Sequence, residues 1–231
     1  MSDLTITVLH ADEALLVFDK PAGLLCVPGR GADKQDCLSA RAQALYADAL
    51  VVHRLDMATS GLVVMARSPG HQRSLGAAFA ARQVHKRYVA VVAGLMPTPQ
   101  HEPRQHDVAD PGWHTISLPL MPDWPRRPMQ KVDPEHGKPS VTRWRLAPLE
   151  GTGLAIADAN TTRVELEPVT GRTHQLRVHL AALGHPILGD ALYAPEAVAH
   201  CVPRLMLHAA SLQFFHPASG AAMAFESHSP F

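Results

Sequence analysis

The stretch from His53 to Arg67 constrains this chain more than any other. It reads His-Arg-Leu-Asp-Met-Ala-Thr-Ser-Gly-Leu-Val-Val-Met-Ala-Arg, so one carboxylate, Asp56, stands just before a Thr-Ser-Gly turn that leads into an apolar run. This order predicts a strand, a tight polar corner and a second strand. Corners on a rigid scaffold are frequent positions for catalytic side chains, so Asp56 is the first candidate for chemistry. General physics alone favours a plainer interpretation, in which Asp56 only accepts hydrogen bonds from backbone amides of the turn.

Length and composition suit a soluble protein of one sizeable domain or two small ones. A chain of 231 residues with 46% hydrophobic residues is large enough to bury a core without disulfides or metals. No segment has the apolar length needed to cross a bilayer, and residues 1–5 lack the basic patch and apolar stretch of a leader peptide. Cys26, Cys37 and Cys201 show neither disulfide nor metal-binding spacing, so each is expected to be a reduced thiol. We therefore expect a cytoplasmic protein and a monomer.

The charge balance excludes a strongly basic protein that coats nucleic acid. Lys plus Arg and Asp plus Glu number 21 each, so the formal net charge is zero with neutral histidines. A basic face can nevertheless coexist with an acidic one, so RNA binding is still compatible with this composition. The 15 histidines would add positive charge at low pH, which would raise the affinity for a polyanion such as RNA there.

Local patterns predict a mixture of strands and short helices. Ser68 and Pro69 form a typical helix start, because Ser caps free amides and Pro fits the first helical position. That helix is expected to end near Arg82. Further helix is predicted at 38–46, and strands are predicted at 4–10, 14–19, 85–94, 141–146, 162–167, 211–215 and 223–225.

A second polar block, from Thr170 to Asp190, contains another predicted helix. Thr173 is the expected cap, and leucines recur at helical spacing after it. Arg172 at the helix start and Arg177 further along would favour a nearby phosphate. The separation of His174 and His179 is poor for one helical face, so metal binding is the less favoured interpretation.

The segment from about Leu95 to Pro139 is rich in Pro, His and charge. Within it, residues 123–132 place Trp124 among three cations, a mixture that suits stacking on unpaired bases and pairing with phosphates. The alternative is a solvated loop with one anchoring Trp.

Several of these segments together resemble the RluA family of pseudouridine synthases. The block His53 to Gly61 has every fixed position of the family's His-Arg-Leu-Asp-x-x-Thr-Ser-Gly motif. The chain also resembles the family in the segments Lys20 to Gly23, Lys86-Arg87-Tyr88, Gly171 to His179 and Arg204 to Ala209, which occur in the family's order. The resemblance therefore covers nearly the whole chain.

The resemblance implies a fold and a set of roles. The fold would be α+β, a mixed and largely antiparallel sheet flanked by helices with a central RNA-binding cleft. Residues 1–231 would form a single pseudouridine synthase domain without a separate S4-type RNA-binding domain. Asp56 would be catalytic, Tyr88 would stack on the target uracil, and Arg204 would pair with Asp56. The cations expected to contact RNA are Arg54, Lys86, Arg126, Lys131 and Arg172.

The expected function is isomerisation of specific uridines to pseudouridine in 23S rRNA, in the tRNA anticodon stem-loop, or in both. One ionised carboxylate can serve this reaction, so no cofactor and no metal are expected. A catalytically idle RNA-binding or ribosome-assembly protein on the same scaffold is the alternative. A metal-dependent hydrolase that uses the many histidines is disfavoured by their spacing.

Overall fold

The computed structural model describes residues 5–97, 112–148 and 160–231. These residues group into two compact units, the first formed by residues up to 86 and by 208–229, the second by residues from 87 to 207 and by 230–231. The single domain expected for residues 1–231 remains a prediction. Leu4 and residues 98–111, part of the Pro-rich segment, lie outside the described residues.

Within the described ranges, the secondary structure comprises strands, four α-helices and two short 3-10 turns at Ala32–Lys34 and Trp124–Arg126. In chain order the elements are β1 (Thr7–Ala11), β2 (Leu15–Lys20), α1 (Leu38–Leu45), β3 (Leu50–Val51), β4 (Ser60–Ala66), α2 (Pro69–Ala80), β5 (His85–Ala93), β6 (His114–Ser117), β7 (Leu120–Pro122), β8 (Gln130–Val132), β9 (Val141–Leu146), β10 (Thr161–Pro168), α3 (Gln175–Ala182), α4 (Glu196–Ala199), β11 (Leu207–Phe215) and β12 (Ala222–Glu226).

The sheet of the first unit runs in the order β1, β2, β4, β11, with β12 paired to β11 and β3 paired to β4. Strands β2 and β4 are antiparallel, whereas β4 and β11 are parallel. Every residue of β4 is buried, which accounts for its uninterrupted apolar run, because a strand covered on both faces has no need to alternate. Leu75 of α2 packs into the core cluster that contains Val17, Val64 and Phe214.

The sheet of the second unit runs in the order β5, β10, β9, β6 and is antiparallel throughout. A separate antiparallel pair, β7 and β8, belongs to the same unit. On one face of the sheet, Arg143 pairs with Glu167 at 3.0 Å and Arg145 with Glu165 at 2.6 Å, each pair directly opposite across β9 and β10. The predicted α+β class with a largely antiparallel sheet is confirmed.

The predicted helix start at Ser68 is confirmed. Ser68 Oγ accepts a hydrogen bond from the His71 N–H at 3.1 Å, and Pro69 occupies the first turn of α2. Helix α1 ends one residue before the predicted position. Among the described residues, no helix is long and apolar enough to span a membrane.

Two local predictions are wrong. Thr173 does not cap α3, because His174 occupies the N-cap position with φ 54° and the helix begins at Gln175. The Gln175 side chain instead holds the turn before the helix, since its Oε1 accepts hydrogen bonds from the Arg172 N–H at 3.1 Å and from the Thr170 hydroxyl at 2.7 Å. The strand expected at the start of the His53 block is also absent, because β3 ends at Val51.

Candidate active site

The backbone on the amino-terminal side of Asp56 is held by a thiol. Cys26 Sγ accepts a hydrogen bond from the Leu55 N–H at 3.1 Å, and both residues are buried. Burial raises the pKa of the Cys26 thiol, so it remains protonated near neutral pH. The turn itself closes where the Thr59 N–H donates to the Asp56 carbonyl at 3.1 Å. The side chain of Asp56 is therefore carried on a fixed main chain and is half-buried.

The carboxyl-terminal side of Asp56 is held by a buried lysine. Lys20 Nζ donates to the carbonyl oxygens of Pro21 and Leu24, each at 2.8 Å, and to that of Met57 at 3.2 Å. The Gly23 N–H also donates to the Met57 carbonyl, at 2.8 Å. A buried ammonium needs such acceptors, so Lys20 orders its own turn and the residue after Asp56 together. The sequence identified Lys20 only through the family resemblance of the segment from Lys20 to Gly23, and the link to Met57 depends on folding.

His53 anchors the same block to its surroundings. Its Nε2 accepts the Val64 N–H at 3.1 Å, and its ring stacks on Phe79 at a centroid distance of 4.5 Å. Burial, reinforced by the positive charge of Lys86, lowers the pKa of His53 to about 3. The imidazole is thus neutral at neutral pH, as its acceptor role requires. Lys86 Nζ lies 5.8 Å from the centre of the Phe79 ring, and burial lowers its pKa.

The residue that begins β4 is tied into a buried hydroxyl and imidazole network. Ser60 Oγ lies 2.8 Å from His208 Nδ1, and His208 Nε2 lies 3.0 Å from Ser227 Oγ. Ser227 Oγ in turn donates to Asp19 Oδ2. Through these contacts Ser60, of Thr-Ser-Gly, and His208, of Leu-His-Ala, have a structural role. That role was not predicted from the sequence.

In the second unit, the main chain at Arg204 packs closely against a turn that contains Gly189. Gly189 has φ 75°, and a Cβ there would lie 2.0 Å from the Arg204 carbonyl oxygen. The Met206 N–H donates to the Leu188 carbonyl at 2.9 Å. The half-buried Arg204 guanidinium lies 5.5 Å from the centre of the Phe231 ring. The Leu-Gly-Asp sequence after α3 therefore fixes the main chain at Arg204.

Arg177 supports that turn. The prediction that Arg177 lies near a phosphate is therefore wrong. Its Nε and Nη2 donate to the two carboxylate oxygens of Asp190 at 2.8 and 2.6 Å, and both side chains are buried. Asp190 Oδ1 also accepts the N–H groups of Leu192 and Tyr193. A buried two-point ion pair of this kind is structural, because breaking it to reach a ligand would leave a buried charge.

The two histidines near α3 also make structural contacts. His179 Nδ1 lies 2.9 Å from Thr142 Oγ1 and its Nε2 3.0 Å from the Leu118 carbonyl, while burial lowers its pKa. His174 Nδ1 lies 2.6 Å from the Tyr193 hydroxyl. Within the described part of the chain there is no group of three or more His, Cys, Asp or Glu residues arranged to hold a metal ion.

The remaining predicted site residues differ in exposure. Tyr88 is half-buried on β5, opposite Leu166 of β10. Arg54 and Arg172 are exposed. Arg126 and Lys131 are exposed as well, although each contacts a carboxylate: Arg126 lies 2.6 Å from Asp123, and Lys131 lies 3.1 Å from Asp133. The predicted site residues are divided between the two units. The first unit contains Arg54, Asp56 and Lys86, and the second contains Tyr88, Arg126, Lys131, Arg172 and Arg204.

Comparison with solved structures identifies the fold. A human protein named RNA Pseudouridylate Synthase Domain Containing 1 superposes with a TM-score of 0.76 and 27% identity, covering 100% of this chain and 86% of that one. RNA Pseudouridylate Synthase Domain Containing 4, also human, has a TM-score of 0.67 and 23% identity over 96% of this chain and 88% of its own. The fold is therefore that of a pseudouridine synthase.

Sequence comparison adds the family. Residues 14–182 match the RNA pseudouridylate synthase family. Proteins named dual-specificity RNA pseudouridine synthase RluA are similar to this chain, at 43% identity in Escherichia coli K12 over 98% of this chain and 94% of that protein, and at 47% in Vibrio vulnificus over 92% and 78%. This chain belongs to the RNA pseudouridylate synthase family, and its enzyme class is an isomerase.

Proposed function

We propose that this protein converts specific uridines to pseudouridine in both 23S rRNA and the tRNA anticodon stem-loop, with Asp56 as the catalytic residue. The observation that carries the proposal is a half-buried Asp56 on a main chain held at Leu55 and Met57, within the full His-Arg-Leu-Asp-x-x-Thr-Ser-Gly motif. Similarity to relatives that are named as dual-specificity enzymes supports two RNA targets.

The reaction needs little besides a well-placed carboxylate. The bond from ribose to uracil N1 breaks, the base turns, and ribose bonds to uracil C5. C5 then loses its hydrogen as a proton and N1 gains one, so no redox step or phosphate energy enters. Asp56 serves either by adding to the sugar or base or by removing a sugar proton. A fixed main chain favours all these routes, because small displacements of a reacting group slow such steps greatly.

Tyr88 and Arg204 take the roles that the family resemblance implies. Tyr88 holds the detached uracil by stacking, an interaction that every base permits. Arg204 supplies positive charge that pairs with the catalytic carboxylate and orients it. The glycine turn at Gly189 supports this assignment, since it fixes the Arg204 main chain.

Binding requires the target uridine to leave its stem, at a cost of a few kcal/mol. Arg54, exposed and two residues before Asp56, fills the vacated position. Arg172 is the strongest candidate for phosphate contact, because it is exposed and forms no ion pair with a carboxylate of the described residues. Arg126 and Lys131 would exchange a carboxylate contact for a phosphate, and Lys86 would have to leave its position over Phe79. Their contributions are therefore expected to be smaller.

The direct test is tritium release from C5 of labelled uridine with 23S rRNA and tRNA transcripts, assayed separately in the presence of a chelator. We expect release from both transcripts, and we expect an Asp56→Asn variant to lose it while unfolding at the same temperature. Release from one transcript would narrow the target to that RNA. RNA binding without release from either would favour the idle scaffold, and loss of release in chelator would favour a metal enzyme.

We further propose that the protein acts in the cytoplasm as a monomer. Light scattering of the purified protein, alone and with a tRNA transcript, tests whether it is a monomer. A mass near 25.0 kDa for the free protein is the expected result.

A further inference from the structure

Trp124 is a large aromatic side chain that packing leaves in solvent. It is 59% exposed, whereas Trp113 and Trp144 are only 2% and 4% exposed. Trp124 begins the 3-10 turn that joins β7 to β8 in the second unit. The Arg127 guanidinium carbon lies 3.5 Å from the centre of its ring, so one side of the indole is already stacked on a planar cation.

The turn that carries Trp124 is held by several hydrogen bonds. The Asp123 N–H donates to the Met129 carbonyl at 2.9 Å, and the Arg126 N–H donates to the Asp123 carbonyl at 3.0 Å. The buried Asp123 carboxylate accepts from Arg126 Nε at 2.7 Å. The Gln130 N–H donates to the Tyr193 hydroxyl at 2.8 Å, which fastens the start of β8. The indole is thus presented on an ordered support, which lowers the entropic cost of binding.

The chemistry around the ring favours a nucleotide over an apolar partner. The neighbours Arg126 and Arg127 are exposed cations, and Lys131 on β8 is exposed as well. An aromatic face beside several cations is the combination that binds unpaired nucleotides, because the ring stacks on the base and the cations attract the phosphate. A protein-binding surface would need a contiguous apolar patch, and charged residues directly follow this turn.

We propose that Trp124, backed by Arg127, is a stacking platform for one unpaired base of the RNA substrate, a base other than the uridine that is isomerised. The identity of the partner as RNA rests on the function proposed above. The platform determines affinity and choice of RNA, and it takes no part in the chemical step.

The first measurement is intrinsic tryptophan fluorescence in an Asp56→Asn background, titrated with a transcript of the tRNA anticodon stem-loop. Because Trp113 and Trp144 are buried, Trp124 should dominate the quenching by acrylamide. We expect RNA to quench this emission and to protect it from acrylamide, and a Trp124→Phe variant to lack the signal. Unchanged emission at saturating RNA would overturn the platform.

The second measurement compares affinities. Trp124→Phe retains an aromatic face and should bind the stem-loop within about threefold of the wild type, whereas Trp124→Leu should bind about tenfold more weakly or worse. Leu183→Ala, at a residue of the same unit that is 41% exposed, is the matched control and should bind normally. Equal affinities for the Phe and Leu variants would exclude stacking, even if a protein partner were found for this surface.

The outcomes separate the platform from the proposed function. Trp124→Leu should release tritium with an unchanged kcat at saturating RNA. Its KM for RNA should be raised. If RNA quenches the Trp124 emission but the wild-type protein releases tritium from neither RNA, the isomerase proposal fails while the platform stands. If tritium is released normally and Trp124→Leu has an unchanged KM, only the platform fails.

Discussion

Asp56 depends on two side chains that lie outside its own motif. Cys26 bonds the amide of the residue before it, and Lys20 bonds the carbonyl of the residue after it. Neither contact touches the carboxylate itself, so both act by positioning the main chain. The sequence predicted only a reduced thiol at Cys26, because no spacing rule connects it to Leu55.

Replacement of Cys26 should separate positioning from simple packing. Cys26→Ser keeps an acceptor for the buried Leu55 N–H and should retain most of the wild-type kcat. Cys26→Ala leaves that amide unsatisfied, which should lower the free energy of unfolding by about 1–3 kcal/mol. It should also lower kcat by roughly tenfold to a hundredfold with little change in KM, because the Asp56 main chain moves.

Cys37 provides the matched control for this comparison. It is buried in the same unit, with its Sγ 3.3 Å from Ser39 Oγ. Cys37→Ala should also lose stability but keep its kcat. Single-turnover tritium release and urea unfolding measure the two quantities, and an equal fall in kcat for both alanine variants would refute a positioning role for Cys26.

At the level of elements, the parallel pair of β4 and β11 explains the glycine of the Thr-Ser-Gly turn. Gly61 has φ 110°, and a Cβ at this position would lie 2.3 Å from the Ala209 carbonyl oxygen. Gly61 and Ala209 are partners in the register of the two strands. The strands can approach here only because the residue has no side chain.

A Gly61→Ala substitution should therefore disrupt this strand pair. Both the backbone angle and the overlap with β11 oppose the new methyl group, so we expect a loss of at least about 3 kcal/mol in the free energy of unfolding. Gly76→Ala is the control, because Gly76 lies within α2 and a Cβ there meets nothing within 4 Å. That variant should gain up to about 1 kcal/mol. Urea denaturation of both variants measures this difference in stability. Equal stability of the two variants would show that Gly61 can be replaced.

For the molecule as a whole, a net charge of zero makes the placement of cations decisive. The salt dependence of RNA affinity counts the phosphates that are neutralised, whatever the total charge. Exposed cations near the RNA should contribute to the slope, and buried ion pairs such as Arg177 with Asp190 should not.

Arg172→Gln should consequently weaken stem-loop binding and reduce the slope of log affinity against log salt by about one. Arg73→Gln is the control, since Arg73 is an exposed cation on α2 with no proposed RNA contact. Filter binding between low and high salt measures both slopes. Identical slopes for the Arg172 variant and the wild type would remove Arg172 from the interface.

Much of the local structure was predictable from the sequence, because its causes lie within a few residues. Ser68 and Pro69 determine where α2 begins, and the uninterrupted apolar run after Gly61 indicates a strand buried on both faces. The error at Thr173 has a longer-range cause, because the Gln175 side chain is held by Thr142 on a separate strand and accepts the Arg172 N–H, which fixes the turn before the helix.

The sequence by itself determined the family, the position of Asp56 in a tight turn and most of the strands and helices. Only the tertiary structure decided what holds Asp56 in place and which cations are available. Lys20 and Met57 are 37 residues apart, Cys26 and Leu55 are 29 apart, and Ser60 and His208 are 148 apart. Hydrogen bonds over such separations depend on the packing of whole elements, and the burial of Arg177 with Asp190 likewise follows from the fold. Local pattern records which side chains are present, and packing determines which of them meet.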